Sequence, residues 1–233
     1  MTPFYENSGP WRDKMKIGNK EIKGIIFDLD GTLLDSCSIW SDVDEIFFKK
    51  RGIELPLDYG EAIGHIGLDK AADYTISRFH LNEKKEDIIK EWKDGVLDLY
   101  AHSVKLKPHA YEFIKYVKNS GVKFCGATAN DEDCYKSALI NNGIYDDFSF
   151  ILEVTTVKSG KDKPDVFYEA AKRLNVDINE CAVFEDLLTP IKTAKDAGFY
   201  VIGVYEESSK DEEKKKKYAD IYIKDYNELM YRE

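Results

Sequence analysis

The feature that most constrains this chain is a set of short, unbroken apolar runs set between amphipathic helical stretches. Ile25-Ile26-Phe27 comes first, and further runs follow at residues 122–127, 148–154, 181–184, 200–205 and 221–223. Continuous apolarity over so few residues suits strands covered on both faces, because a half-exposed strand would alternate with polar residues. Helical periodicity fills the gaps at 110–119, 131–142, 165–174 and 191–197. Strand–helix alternation predicts an α/β fold with a parallel sheet and helices on both of its faces.

The stretch from Asp35 to about Lys105 breaks that rhythm. Ile39, Val43, Ile46 and Phe47, then Ile88, Ile89, Trp92, Val96 and Leu99, repeat at helical spacing with no buried strand between them. An all-helical insert after the first strand is expected, with the Gly64–Gly67 stretch as a loop between two of its helices and Trp40 packed into its core. The resulting organisation is a tail over 1–19, an α/β core over 20–36 and 105–233, and a helical cap over 37–104. The opening residues carry prolines and mixed charge without an apolar region, so neither a signal peptide nor a membrane span is expected. The lysine-rich run 210–217 reads as a solvated helix face.

A net charge of −10 argues against a nucleic-acid partner, since a phosphate backbone would be repelled. A small anionic substrate is compatible if local positive charge or a metal overcomes that field. The four cysteines are scattered and form no CxxC pair, which points to reduced thiols and a cytoplasmic location.

The chemistry gathers at the ends of the apolar runs. In extended backbone Asp28 and Asp30 point to the same side, just past the carboxyl end of the first buried strand, where open α/β sheets bind ligands. Gly31 lets the chain turn away. Two adjacent carboxylates need a cation or a raised pKa, and hard carboxylate oxygens suit Mg²⁺. Later strands deliver groups of matching kind: Thr128 offers a hydroxyl, the segment from Gly160 to Asp165 offers Lys161 and Lys163, and Glu185-Asp186 supplies a second acidic pair.

This ordered set resembles the haloacid dehalogenase-like hydrolase superfamily, over residues 20–205, with FDLDGT and the later Glu-Asp pair as its specific motifs. The helical insert looks like the cap of the subgroup containing β-phosphoglucomutase and phosphoglycolate phosphatase. The resemblance implies a Rossmann-like core and a Mg²⁺-dependent phosphatase acting on small phosphorylated metabolites, sugar phosphates in particular, as a monomer or weak homodimer. By the same resemblance Asp28 is the nucleophile that becomes an aspartyl phosphate, and Asp30 is the general acid and then base. Thr128 binds a phosphoryl oxygen, and Lys161, three residues before Pro164 as the family lysine usually is, neutralises nucleophile and phosphoryl group. Asp28, Asp30 and Asp186 hold the metal, with Glu185 as a further ligand or support. Lys70, His65 and Asn130 are candidate substrate contacts.

The chain departs from the family pattern at Leu187, where serine is frequent, at Pro190, where glycine is frequent, and at Asp162, which replaces a frequent proline. A β-phosphoglucomutase-like sugar-phosphate mutase is the alternative. Trp40 in the approximate place of a mutase histidine, and Asp131 in that of a phosphate-binding lysine, count against it. A non-catalytic regulatory module on the same fold is a third reading, opposed by the intact set of Asp28, Asp30, Thr128, Lys161 and Asp186.

Overall fold

The computed structural model describes residues 14–63, 67–209 and 211–230. In chain order its strands are β1 (Met15–Ile17), β2 (Lys20–Ile22), β3 (Gly24–Phe27), β4 (Leu34–Asp35), β5 (Lys105–Leu106), β6 (Lys123–Thr128), β7 (Ile151–Glu153), β8 (Cys181–Glu185), β9 (Tyr200–Val204) and β10 (Ile221–Ile223). Helices α1 (Ile39–Lys50), α2 (Tyr59–Ile63), α3 (Gly67–Phe79) and α4 (Lys85–His102) follow β4. Then α5 (Ala110–Ser120), α6 (Glu132–Asn141), α7 (Val154–Val157), α8 (Asp165–Leu174), α9 (Leu188–Asp196) and α10 (Glu212–Tyr218) alternate with the later strands. The described residues fall into two compact units: one holds those up to Asp35, Lys105–Asp131 and those from Asn142 on, and the other those within Ser36–Val104 together with Glu132–Asn141.

The first unit is built on a six-stranded sheet in the order β10-β9-β8-β3-β6-β7, each neighbouring pair parallel. All six expected strands are present, and the sheet has the expected Rossmann-like α/β form. From β3 the chain first builds outward through β6 and β7, then crosses to the other side of β3 to add β8, β9 and β10. The end of β3 is therefore the switch point, where both neighbours' connections lead away and a crevice opens.

Every residue of β3 and β8 is buried. On one face Ile26 joins Cys125, Val183, Val166 and Phe167 beneath α8. On the other, the Phe27 ring lies 4.7 Å from that of Phe184, 5.8 Å from Phe124 and 6.3 Å from Phe113 of α5. Both faces being covered is the reason these strands read as continuous apolar runs. Of the four cysteines, Cys37 is exposed and Cys125, Cys134 and Cys181 are buried. No helix among the described residues is long and apolar enough to cross a membrane.

Residues 1–19 were expected to be a tail. From Met15 onward they are not: β1 pairs antiparallel with β2, Met15 opposite Ile22, and Met15, Ile17 and Ile22 are all buried. The alternation in Met15-Lys16-Ile17 is a strand pattern too short to stand out beside the charged residues around it. Residues 1–13 lie outside the described residues.

In the second unit α1 and α3 pack on α4, and so does α6, which the sequence pattern had grouped with the α/β core. The buried row of α1 is Ile39, Val43 and Phe47, with Phe48 beside it. Trp40 is 50% exposed, against the expectation that it packs in this core: it stands about 100° round the helix from that row, at the first turn. Ile46 is exposed for the same reason of helical phase.

Asp44 of α1 is buried, and that burial pushes its carboxyl up to about 6. Its folded value lies above its ordinary one, so the folded chain holds this proton more tightly than the unfolded chain. Stability is therefore lost as pH rises from about 4 through about 6, and stays lost above that. Asp44→Asn is expected to stabilise the protein by about 1–3 kcal/mol at pH 8 and by nothing near pH 3.5. Urea denaturation at the two pH values measures it, and an equal gain at both would remove ionisation as the cause.

Candidate functional site

Register alone collects most of the site. Phe27 stands opposite Gly126 of β6 on one side and Phe184 of β8 on the other. One or two residues further, the three adjacent strands release Asp28, Thr128, and Glu185 with Asp186 at the same carboxyl edge. The Asp28 amide still donates to the Phe184 carbonyl at 3.0 Å, so this carboxylate is fixed by the last rung of the ladder. Beyond it the chain reverses: the amides of Thr32, Leu33 and Leu34 all donate to the Leu29 carbonyl, and Gly31 takes φ +77°. A side chain with a β-carbon would be strained in that conformation.

Asp28, Glu185 and Asp186 are all buried, and each offers an oxygen within 4.8 Å of the others'. Lys161 donates to Asp28 Oδ1, and to Glu185 Oε1 at 2.7 Å. Lys163 is exposed, so of the two lysines it is Lys161 that joins the acids. Glu185 Oε2 accepts from the amides of Asp186 at 3.2 Å and Leu187 at 3.4 Å, which holds the turn out of β8 although serine is absent at position 187. Pro190 falls in the first turn of α9, where its missing N–H breaks no helical hydrogen bond.

Crowding dominates the electrostatics. Burial raises the Asp28 carboxyl above its usual range and the nearby Asp30 charge adds to this, while Lys161 and Thr32 oppose it. Burial and then Asp28 push Glu185 up to about 8 and Asp186 up to about 7. Burial works against the Lys161 ammonium, but Asp28 and Glu185 outweigh it and keep that proton bound. Three carboxylates thus crowd around the Lys161 ammonium, which bonds two of them. Hard oxygen donors in this arrangement fit a small divalent ion, which would relieve the repulsion.

Two contributors escaped the sequence reading. Thr32 Oγ1 sits 2.8 Å from Asp28 Oδ2 and 3.2 Å from Asp186 Oδ1. A hydroxyl has one proton, so it can donate to only one of the two at a time. The tight turn after Asp30 was the available signal, since it brings residue 32 back over residue 28. Lys215 is the other: it is 0% exposed, and its Nζ donates to the Asp186 carbonyl at 2.9 Å. Burial lowers its pKa, opposed by Asp186, Glu212 and Glu206. The run 210–217 is therefore not wholly a solvated face. One residue in four of a helix turns inward, and four consecutive lysines give no sign of which; Lys210 itself lies outside the described residues.

Thr128 is buried and its Oγ1 accepts from the Asn130 amide at 3.0 Å. Asn130 donates its side-chain amide to Asp30 Oδ2 at 3.0 Å, and its side-chain carbonyl accepts from the Asp131 amide at 2.8 Å. Asn130 is thus engaged with Asp30. Lys70 is exposed in the first turn of α3, within the second unit. His65 lies outside the described residues.

Thr32→Val, which keeps the shape and removes the hydroxyl, is expected to destabilise the metal-free protein by about 1–3 kcal/mol. Thr32→Ser should restore most of the loss. Urea denaturation in the presence of a chelator gives the numbers, and a Val variant as stable as the parent would show that the shared proton contributes nothing.

A model of the haloacid dehalogenase-like hydrolase family matches residues 25–204. Among curated proteins, the chain is 30% identical over 201 residues to (DL)-glycerol-3-phosphatase 2 of Arabidopsis thaliana, covering 80% of this chain and 81% of that one. It is 27% identical over 196 residues to a β-phosphoglucomutase of Bacillus subtilis, covering 78% and 83%. A crystal structure of a HAD family hydrolase from Deinococcus radiodurans, with bound phosphate and sodium, shares the fold at a TM-score of 0.70 and 20% identity, covering 89% of this chain and 93% of that one. With the family model spanning the sheet from β3 to β9 and every strand end named above, the chain belongs to the haloacid dehalogenase-like hydrolases.

Proposed function

We propose that this protein is a Mg²⁺-dependent phosphatase of small phosphate monoesters, sugar phosphates in particular, working through an aspartyl phosphate on Asp28. The observation that carries the reading is the buried Asp28 carboxylate at the switch point, paired to Lys161 and grouped with Glu185 and Asp186. Relatives named as phosphatases support the reaction class. Asp28, Asp186 and the Asp30 backbone would hold the ion, with Glu185 beside them. When bound, Mg²⁺ supplies positive charge to the phosphoryl oxygens and lets the nucleophile approach an anion.

The protein's own groups divide the work as follows. An Asp28 oxygen attacks phosphorus, the bond from phosphorus to the ester oxygen breaks, and Asp30 gives that oxygen its proton so that an alcohol leaves. Asp30 then takes a proton from water as the water attacks the aspartyl phosphate, and inorganic phosphate departs with Asp28 restored. Splitting one displacement into two lowers each barrier. Lys161, fixed between Asp28 and Glu185, offsets charge on the nucleophile in both steps. Thr128, whose oxygen already accepts from the Asn130 amide, directs its own proton to a phosphoryl oxygen.

Hydrolysis of an aryl phosphate is expected to require Mg²⁺ and to stop when a chelator removes it. Asp28→Asn should lower turnover by at least about 10³-fold, and Asp30→Asn by about 10²–10⁴-fold. Unchanged turnover in Asp28→Asn would remove the nucleophile from this scheme, and no turnover by the parent protein would favour a binding module.

The β-phosphoglucomutase relative keeps a mutase reading in view. With β-glucose 1-phosphate and a trace of the bisphosphate, free phosphate should form faster than glucose 6-phosphate; the reverse order would establish the mutase.

A further inference from the structure

Four consecutive lysines, Lys214 to Lys217, sit on α10, and three of them face away from the fold's interior. Lys214 pairs with Asp211 at 2.7 Å, and Lys216 with Glu212 at 2.9 Å and Glu213 at 2.8 Å, on the open side of the helix. Lys215 does something else. It is wholly buried, its Nζ lies 5.9 Å from the Tyr222 ring centre, and it donates to the backbone carbonyl of Asp186 at 2.9 Å. A buried ammonium costs stability that an apolar side chain of the same length would not, so its placement calls for a role.

That role is visible in what the carbonyl belongs to. β8 ends at Glu185, which pairs with Gly203 of β9, so Asp186 is the first residue past the ladder and its carbonyl has no strand partner. Lys215 takes it up, with Ser209 Oγ as a longer second donor at 3.4 Å. On the other side the Asp186 carboxylate meets Thr32 and has an oxygen within 4.8 Å of an Asp28 oxygen. The residue is held from behind by its carbonyl while its carboxylate points to the acidic cluster.

We infer that Lys215 is a positioning residue: by gripping the Asp186 carbonyl it presents the Asp186 carboxylate to the divalent ion shared with Asp28. This rests on the metal reading of the preceding section, and it makes a prediction whose sign is diagnostic. If Lys215 acted only through its charge, removing that charge would make the acidic cluster more attractive to a cation, and Mg²⁺ would bind more tightly. If it acts as a clamp, removing it lets Asp186 turn and Mg²⁺ binds more weakly.

The test is Mg²⁺ binding by calorimetry on the purified full chain, with turnover measured across Mg²⁺ concentrations. Lys215→Met should weaken binding by about 10-fold, the scale of losing a residue that orients a metal ligand. Turnover of this variant should return towards the parent value at saturating Mg²⁺, since Lys215 reaches no phosphoryl group. Lys215→Arg, which keeps a donor, should recover binding to within about 3-fold. Ser209→Ala weakens the same grip from the milder side, and should raise the Mg²⁺ requirement by about 2-fold even where the Met variant folds poorly. Parent-like or tighter Mg²⁺ binding in Lys215→Met, or in Ser209→Ala if the Met variant does not fold, overturns the inference alone. A parent protein that binds no Mg²⁺ overturns the metal reading and the inference with it.

Discussion

Repulsion among carboxylates in a dry space is the interaction that the rest of the site answers to. Asp28, Glu185 and Asp186 are packed where little water can screen them, and the Lys161 ammonium bonds two of the three. Each further contact around them reduces the same imbalance. Thr32 lends its one proton between Asp28 and Asp186, two backbone amides close on Glu185, and Lys215 grips the peptide behind Asp186. Folding tolerates the crowding because the parallel ladder leaves these residues no other place to go. Phe27 packs edge-on against Phe113 and tilted against Phe184 in an aromatic layer, and burying one such ring contributes about 1.5–3 kcal/mol. The sheet thus holds together what the charges push apart.

What was legible in the sequence follows from the same physics. Strands buried on both faces must be continuously apolar, so Ile25-Ile26-Phe27 and Cys181-Ala182-Val183-Phe184 announced themselves, and the polar residue after each run had to lie at a strand end. Lys161 was preferred to Lys163 by the family's usual spacing to Pro164, and it is the Lys161 Nζ that donates to Asp28. Contacts between elements distant in sequence were not legible. Nothing in Lys214 to Lys217 marks the second lysine as the buried one, because that depends on how α10 settles on α9. Met15-Lys16-Ile17 is too short to register as a strand until β2 pairs with it. The phase of α1 left Trp40 in the open although its neighbour Ile39 is buried, a difference of one residue that composition cannot supply.

The link between the two chain crossings shows how local order extends away from the acids. β4 and β5 pair where the chain departs for its helical insert and returns from it, Leu34 opposite Leu106. Lys107, just past β5, bonds Glu206 and lies 3.2 Å from Asp35. Burial works against the Lys107 charge, but Glu206 outweighs it and the ammonium is held. Glu206 in turn accepts from Ser208, one residue before the Ser209 that reaches the Asp186 carbonyl. A chain of polar contacts therefore runs from the ribbon to the loop behind Asp186, all within the sheet-bearing unit, and ties the residues after β9 to those after β3.

Asp28 and Asp30 finally make the case that environment assigns the work. They are the same residue type two positions apart, yet one is fixed by the ladder, a buried ammonium and a hydroxyl, whereas the other stands in the turn, partly exposed, with an amide donor from Asn130. A nucleophile needs a fixed direction of attack and compensation for its charge, which Asp28 has. A group that gives and takes a proton needs access to leaving oxygen and to water, which a turn residue has and a ladder residue lacks. The last ladder hydrogen bond belongs to Asp28, and that boundary separates the roles proposed for the two acids.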